Sequence, residues 1–473
     1  MPVAGPENNY ESFLKVNTRF AAGAGREDEN ARPKMRTPSS AVYQTVMLPF
    51  LTRGKASRRL AARTTNATFA YPWTRNAGMN LSREIEIEIN LSRNIETGDD
   101  VHALAADAGP TRRLDLEPGR ARHIRAAYTT HFVAAEFSKH PGDFHLVAGA
   151  DTAPRPGDVV IARVAEIGKH TRLESPVSRR QLMFVGQEIM VAYGNRYAPD
   201  QFLAHVPDTL EPCHLVAGGG LAGYVTQMHA SIDAATAIEP IGLLATKDGV
   251  VNLRDFAPLQ VGNPSLAALS AAGTPRPPVI AVLGTSMNSG KSTTLGCLVN
   301  GLANAGLHVA AGKATGTGAG NDPNLFIDAG AFPVCDFTDF GYPTTFKLAY
   351  EEVRDLLAAM IDEQAASGAD VVVIEIADGL YQGETSRLLR DPLFAGYVDT
   401  VVFSAQDALG ARAGLDVLQD AAVPVAAVSG LLTASPLATA EAAARLEVPV
   451  IDTYALCNPE VATALVPVRA SVS

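Results

Sequence analysis

Ten consecutive residues hold the densest potential for chemistry in this 473-residue chain: Gly284, Thr285, Ser286, Met287, Asn288, Ser289, Gly290, Lys291, Ser292 and Thr293. An apolar run precedes them and a helical pattern follows, so main-chain N–H groups around 286–292 are expected to turn inward at a helix N-terminus and form an anion nest. Lys291 would reach the β- and γ-phosphates of a nucleotide, and Ser292 would ligate Mg²⁺. The usual G-x-x-x-x-G-K-[ST] spacing asks for glycine at Thr285; here it stands one place earlier, at Gly284.

Several polar residues beyond the loop can join such a site. Glu375 ends the apolar run "VVVIE", at the strand edge where ligands bind in open parallel sheets, and suits Mg²⁺ coordination directly or through water. Lys313, in "AAGKATGTG", would offer an ammonium to developing phosphate charge. Thr315 and Thr317 follow among glycines, a composition suited to close approach by an anion, and are expected to face substrate. Asp322 is expected to serve metal or substrate, and Asp328 and Asp378 to face substrate. Asp336, Thr338, Asp339 and Thr344 form a polar segment that could cover the site, whereas Arg412 reads as a solvated helix residue. Upstream, "VAYGNRYAPDQF" packs Tyr193, Asn195, Arg196, Tyr197 and Asp200 between turn residues, as a ligand loop or a plain edge turn would.

These residues need a scaffold, and the pattern supplies one. Strand and helix signals alternate through 277–460, with unalternating apolar runs typical of parallel strands covered on both faces. Leu295, Leu298, Val299 and Leu302 fall at helical spacing, as do Val353, Leu356, Leu357, Met360 and Ile361. The expected fold class is α/β: a C-terminal doubly wound parallel-sheet phosphate-loop domain over 278–473, joined by a linker (263–277) to a smaller domain. That domain, 119–262, is β-rich, with the close strand spacing of a small antiparallel barrel or sandwich. Residues 1–118 read as an extension, disordered where breakers and charges crowd "AAGAGREDENARPKMRTPSS", with one alternating strand in "REIEIEIN".

Bulk properties narrow the class. A net charge of -11 disfavours a general binder of nucleic acid or anionic membrane. The four cysteines are widely separated and suggest buried thiols in a reducing compartment, with neither a zinc ligand set nor a disulfide framework. His170, His205 and His214 lack metal-ligand spacing. No apolar run approaches the ~20 residues that span a bilayer, and no signal-peptide pattern opens the chain, so a cytoplasmic location is expected.

Gly284-Thr285, four residues, then Gly290-Lys291-Ser292 resembles the loop of the dethiobiotin synthetase-like branch of P-loop proteins. The likeness extends to Lys313 after the second strand and to Glu375 ending a later one, and covers 279–430 at motif level. It is similar also to a family of two-domain proteins, largely uncharacterised, with some members linked to N-acylation of D-glutamate. The chain departs from the branch at Ser286, Ala314, Ile376 and Asp378, which leaves ATP binding intact and argues against carboxylation of a diamine. No second lysine lies between Gly284 and Gly290, unlike ParA-type ATPases. The resemblance implies an ATP- and Mg²⁺-dependent enzyme of ligase or kinase type acting on a small metabolite, the front half recognising substrate or forming a homo-oligomer. Two alternatives remain: a nucleotide-dependent accessory or switch protein for cofactor assembly, and an acyl-CoA-dependent N-acyltransferase. ATP and GTP are not distinguished by "VSGLLTASP".

Overall fold

The computed structural model describes residues 111–149, 151–262 and 276–467; the breaker-rich stretch and the strand expected in the extension, and 263–275 of the expected linker, lie outside the described residues. All described residues belong to one compact unit, Asn94–Ser473.

The C-terminal domain is the expected doubly wound sheet. Its six parallel strands are β1 (Val279–Gly284), β2 (Val309–Lys313), β3 (Val334–Asp336), β4 (Val371–Glu375), β5 (Thr400–Ser404) and β6 (Val425–Ser429). They lie in the order β3-β2-β4-β1-β5-β6. Because side chains alternate across a strand, Val279, Ala281 and Leu283 face one core while Ile280 and Val282 face another. Helix α1 (Lys291–Asn304) covers the second face with Leu295, Leu298, Val299 and Leu302, all fully buried. Burial of each such leucine stabilises the fold by roughly 1.5–3 kcal/mol. Across the sheet, α3 (Tyr350–Ala366) buries Leu356, Leu357, Met360 and Ile361 and α4 (Ala408–Asp420) buries Ala411 and Leu418. A shorter helix, α2 (Asn321–Asp328), follows β2.

The N-terminal domain contains a closed barrel. Strands Thr236–Thr246, Val159–Glu166, Glu188–Tyr193, Leu221–Met228 and Cys213–Ala217 pair in a ring, the last returning to the first. Closure removes the exposed edges that a five-stranded sheet would present. The pairing is not wholly antiparallel as the spacing suggested: Leu221↔Ala192 and Ala222↔Tyr193 run parallel. The sheet also begins earlier than the expected boundary. Arg112–Asp115 pairs with His145–Ala148, so part of the stretch read as extension is tied into the domain by its ladder.

Within this one unit the barrel and the parallel sheet meet through polar and apolar contacts at one seam. Tyr128 OH donates to Asp336 at 3.1 Å, Arg254 pairs with Glu352 at 2.9 Å, and the Tyr197 and Phe346 rings lie 5.3 Å apart. Gly219 meets Gly318 so closely that a Cβ at 219 would stand 1.9 Å from the Gly318 carbonyl oxygen. No helix of the described residues is long and apolar enough to cross a membrane.

Candidate functional site

The loop between β1 and α1 has the conformation its sequence requires. Asn288 (φ 63) and Gly290 (φ 96) are left-handed, the alternation that turns successive amides toward one point. The N–H groups of Met287, Asn288 and Gly290 have no acceptor among the described residues, and the first turn of α1 adds the unsatisfied donors of any helix start. The early glycine has a steric reason: a Cβ at 284 would lie 2.2 Å from Ser289 Oγ and 2.8 Å from Lys291 Cγ. Strand β1 must therefore carry glycine at its end for the loop to fold back over it. Thr285 is anchored by its N–H to Ser404 O (3.0 Å), and Ser289 O accepts from Leu431 N (2.9 Å). The Ser286 and Met287 carbonyls accept from Lys291 Nζ (2.8 Å) and Gln406 Nε2 (3.1 Å). Thr293 is exposed on the outer face of α1.

Opposite the loop, β2 and β4 lie side by side with Lys313 in register with Glu375. Lys313 Nζ is ion-paired to Asp322 in the first turn of α2 and stands 3.5 Å from Glu375 Oε1. Burial pulls the Lys313 pKa down, but the Glu375 and Asp322 carboxylates together outweigh it and hold it above the ordinary lysine range. Burial likewise pushes Asp322 up, and Lys313 and the Ser292 hydroxyl overcome it, so this carboxylate stays ionised. For Lys291 burial prevails and lowers the pKa, against the pull of Glu375 and Asp378. Asp378, left-handed at φ 67, is raised by burial despite Lys291, Lys313 and Arg196.

Lys291, Ser292, Lys313, Asp322, Glu375 and Asp378 thus form one electrostatic cluster at the carboxyl edge of the sheet. Other expectations fare differently. Asp328 ends α2, exposed; six residues from Asp322 it is about 9 Å along the helix and on another face. Thr315 is buried and braces the turn after β4 by accepting from Ala377 N at 2.8 Å. Thr317 bridges Thr344 and lines a cleft between the domains. Asp336, Thr338 and Asp339 do not cover the site: Asp336 is buried and accepts from Tyr128 and Thr338 beneath the seam. Arg412 pairs with Asp416 at 2.9 Å on an exposed helix face.

What the sequence left undecided was the barrel's contribution. Asp200 Oδ2 accepts from Asn288 Nδ2 at 3.0 Å, placing the 193–202 segment on the loop itself. Arg196 of that segment is buried near Asp200 and Asp378. Glu174 accepts from Gly320 N at 3.1 Å. The only sequence signal was a polar run between turns, because 88 residues separate Asp200 from Asn288 and 146 separate Glu174 from Gly320.

Eight buried side-chain nitrogen or oxygen atoms lack a hydrogen-bond partner among the described residues, and five belong to this region: Thr285 Oγ1, Ser289 Oγ, Glu375 Oε2, Arg196 Nε and Asp200 Oδ1. Buried polar atoms are satisfied in all but a few cases, so their concentration at one place marks where a polar ligand belongs. A divalent cation fits in part. No group of three His, Cys, Asp or Glu among the described residues is arranged to hold a metal. Mg²⁺, however, needs few protein ligands when phosphate oxygens supply the rest, and Ser292 with the open oxygen of Glu375 meets that need. Asp322, expected as a ligand, is instead committed to Lys313 and Ser292.

No protein-family model matches this chain, and no curated protein matches it. Among solved structures, the signal recognition particle receptor FtsY from Elizabethkingia anophelis in complex with GDP aligns at 20% identity and TM-score 0.29, covering 46% of this chain and 70% of its own. The 54 kDa signal recognition particle protein from Aeropyrum pernix K1 in complex with GDP aligns at 17% identity and TM-score 0.26, covering 43% and 41%. Chloroplast FtsY from Physcomitrella patens aligns at 15% identity and TM-score 0.27, covering 43% and 72%. At this level of superposition no property of those proteins passes to this chain.

Proposed function

We propose that the chain is a nucleotide-dependent enzyme that binds a triphosphate on the 285–292 loop and transfers or activates a group on a small metabolite. The observation that carries this reading is the presence of unsatisfied loop amides beside the Lys313–Glu375 pair on the neighbouring strands. The half-buried lysine held between two carboxylates beside the loop supports the same reading.

Each residue then has a role. The amides of Met287, Asn288 and Gly290 receive phosphate oxygens, and Lys291 leaves the Ser286 carbonyl to meet the terminal phosphate. Lys313, kept protonated by its carboxylates, faces charge that develops on the transferred group. Asp322 orients Ser292 and holds Lys313 in place. Bound at Ser292 and Glu375, Mg²⁺ would neutralise charge on the phosphate oxygens. ATP is the nucleotide we infer, in keeping with the dethiobiotin synthetase-like loop, and the reaction class is ligase or kinase.

The test is incubation of the full chain with ATP, Mg²⁺ and pooled small metabolites, with ADP and mass-shifted products read together. Coupled appearance of both supports the enzyme. Nucleotide hydrolysis that rises only when another protein is added would favour a switch protein. A product that forms from acyl-CoA without ATP would favour acyl transfer.

A further inference from the structure

Between the barrel and the parallel-sheet domain lies a cleft of about 400 Å³ whose walls include Lys169, Arg172, Arg180 and Arg196 from one side and Thr317 from the other. The chain as a whole carries a net charge of -11, yet this concavity gathers four cations. Its one carboxylate, Glu174, is engaged by the Ser178 hydroxyl and the Gly320 N–H. None of the four cations makes an ion pair within 4 Å among the described residues, though Asp378 and Asp200 attract Arg196, and Glu174 attracts Arg180, from farther off. A concave surface of one sign concentrates ligands of the other.

Arg196 makes the cleft more than a charged rim. It is only 7% exposed, its Nη2 reaches Gln201 Oε1 at a long 3.4 Å, and its Nε has no partner. A buried guanidinium with an unused N–H costs stability unless something else accepts from it. The neighbouring imidazole does not compete for anions by charge. Burial and the Arg196 charge push the His170 pKa down to about 4, and its Nε2 is taken by the Val216 carbonyl at 3.1 Å.

We propose that this cleft is an oxyanion site: it receives the carboxylate or phosphate of a small molecule on Arg196, with Lys169, Arg172 and Arg180 at its mouth. Arg196 also feels the Asp378 charge, which in turn feels Lys291 and Lys313, so the cleft is electrostatically linked to the cluster at the sheet edge. A role for the bound molecule as the acceptor of a transferred group rests on the nucleotide reading above; anion binding itself does not.

The experiment is calorimetric titration of the full chain with succinate and, separately, with inorganic phosphate. At least one is expected to bind saturably, and the stronger of the two identifies the anion as carboxylate or phosphate. Arg196→Gln is expected to weaken that binding at least ~10-fold, or about 1.4 kcal/mol. Arg172→Gln and Arg180→Gln, at exposed positions where folding is not at stake, are expected to weaken it a few-fold each and to flatten its salt dependence. The proposal is overturned if neither anion binds the parent protein, if all three variants bind as it does, or if binding disappears only in Lys291→Ala. Nucleotide binding, titrated on the parent protein, separates the two claims. If it persists while anion binding fails, the cleft proposal alone falls; the reverse result sinks the nucleotide reading.

Discussion

The Lys313 ammonium stands 3.5 Å from Glu375 Oε1, and the same nitrogen is ion-paired to Asp322 on the adjoining helix. Side-chain exposure is 13% for the lysine and 2% for the glutamate, so neither charge is relieved by water. Replacing the cation leaves the buried Glu375 and the half-buried Asp322 carboxylates without the charge between them. Lys313→Met is expected to destabilise the domain by about 3 kcal/mol, read by urea unfolding at pH 7. The pH dependence carries a second signature. Asp322 has a depressed pKa, so its contribution is present above the unfolded value of about 3.9 and lost as pH falls through the lower folded value. In Lys313→Met that dependence should vanish, so the deficit against the parent should be full at pH 7 and shrink as pH falls below about 4. A curve superimposable on the parent's would deny the lysine this role.

Glu375→Gln keeps the volume and the strand but removes the open anionic oxygen. Nucleotide affinity should survive, while turnover should fall about 100-fold, the scale of losing one preorganised electrostatic contact. Activity near the parent's would remove Glu375 from the reaction.

Asp339 offers a pH test remote from the reacting groups. Burial, then the nearby Asp336 charge, pushes its pKa up to about 7. A carboxyl with a raised folded pKa favours the protonated form in the fold. Stability from this group is therefore fully present below the unfolded value of about 3.9 and is lost as pH rises toward 7. Asp339→Asn should remove that slope and raise the melting temperature at pH 8, with little change at pH 4. Parallel melting curves for parent and variant across this range would contradict the assignment.

Much of this arrangement was readable in advance and some was not. The apolar periods of α1 and α3 and the unalternating strands placed the parallel sheet, because burial on both faces imposes that pattern on any sequence. The loop was legible through its glycines and Lys291. The meeting of Lys313 with Asp322 was not, since it depends on α2 turning back after β2 so that its first turn faces the strand end. Nor could spacing show that Asp200 reaches the loop or that Arg196 lies near Asp378. The parallel strand pair within the barrel escaped for a similar reason: alternation reports which face is wet, not which way the neighbour runs.

The seam between the barrel and the parallel sheet can be tested directly. Gly219→Ala would put a methyl 1.9 Å from the Gly318 carbonyl oxygen, backbone against backbone, so one domain must shift. The expected loss is about 1–3 kcal/mol, with faster proteolysis between the domains. Cleavage and stability like the parent's would mean that the seam yields without cost.

The central claim is that main-chain amides and Lys291 hold the phosphates of a nucleotide. Calorimetric titration of the full chain with Mg-ATP, beside Lys291→Ala under the same conditions, tests it most directly. Saturable binding by the parent, weakened at least ~100-fold (about 2.7 kcal/mol) in the variant, is the expected result. Failure of the parent to bind any nucleoside triphosphate, or equal binding by both proteins, would contradict it.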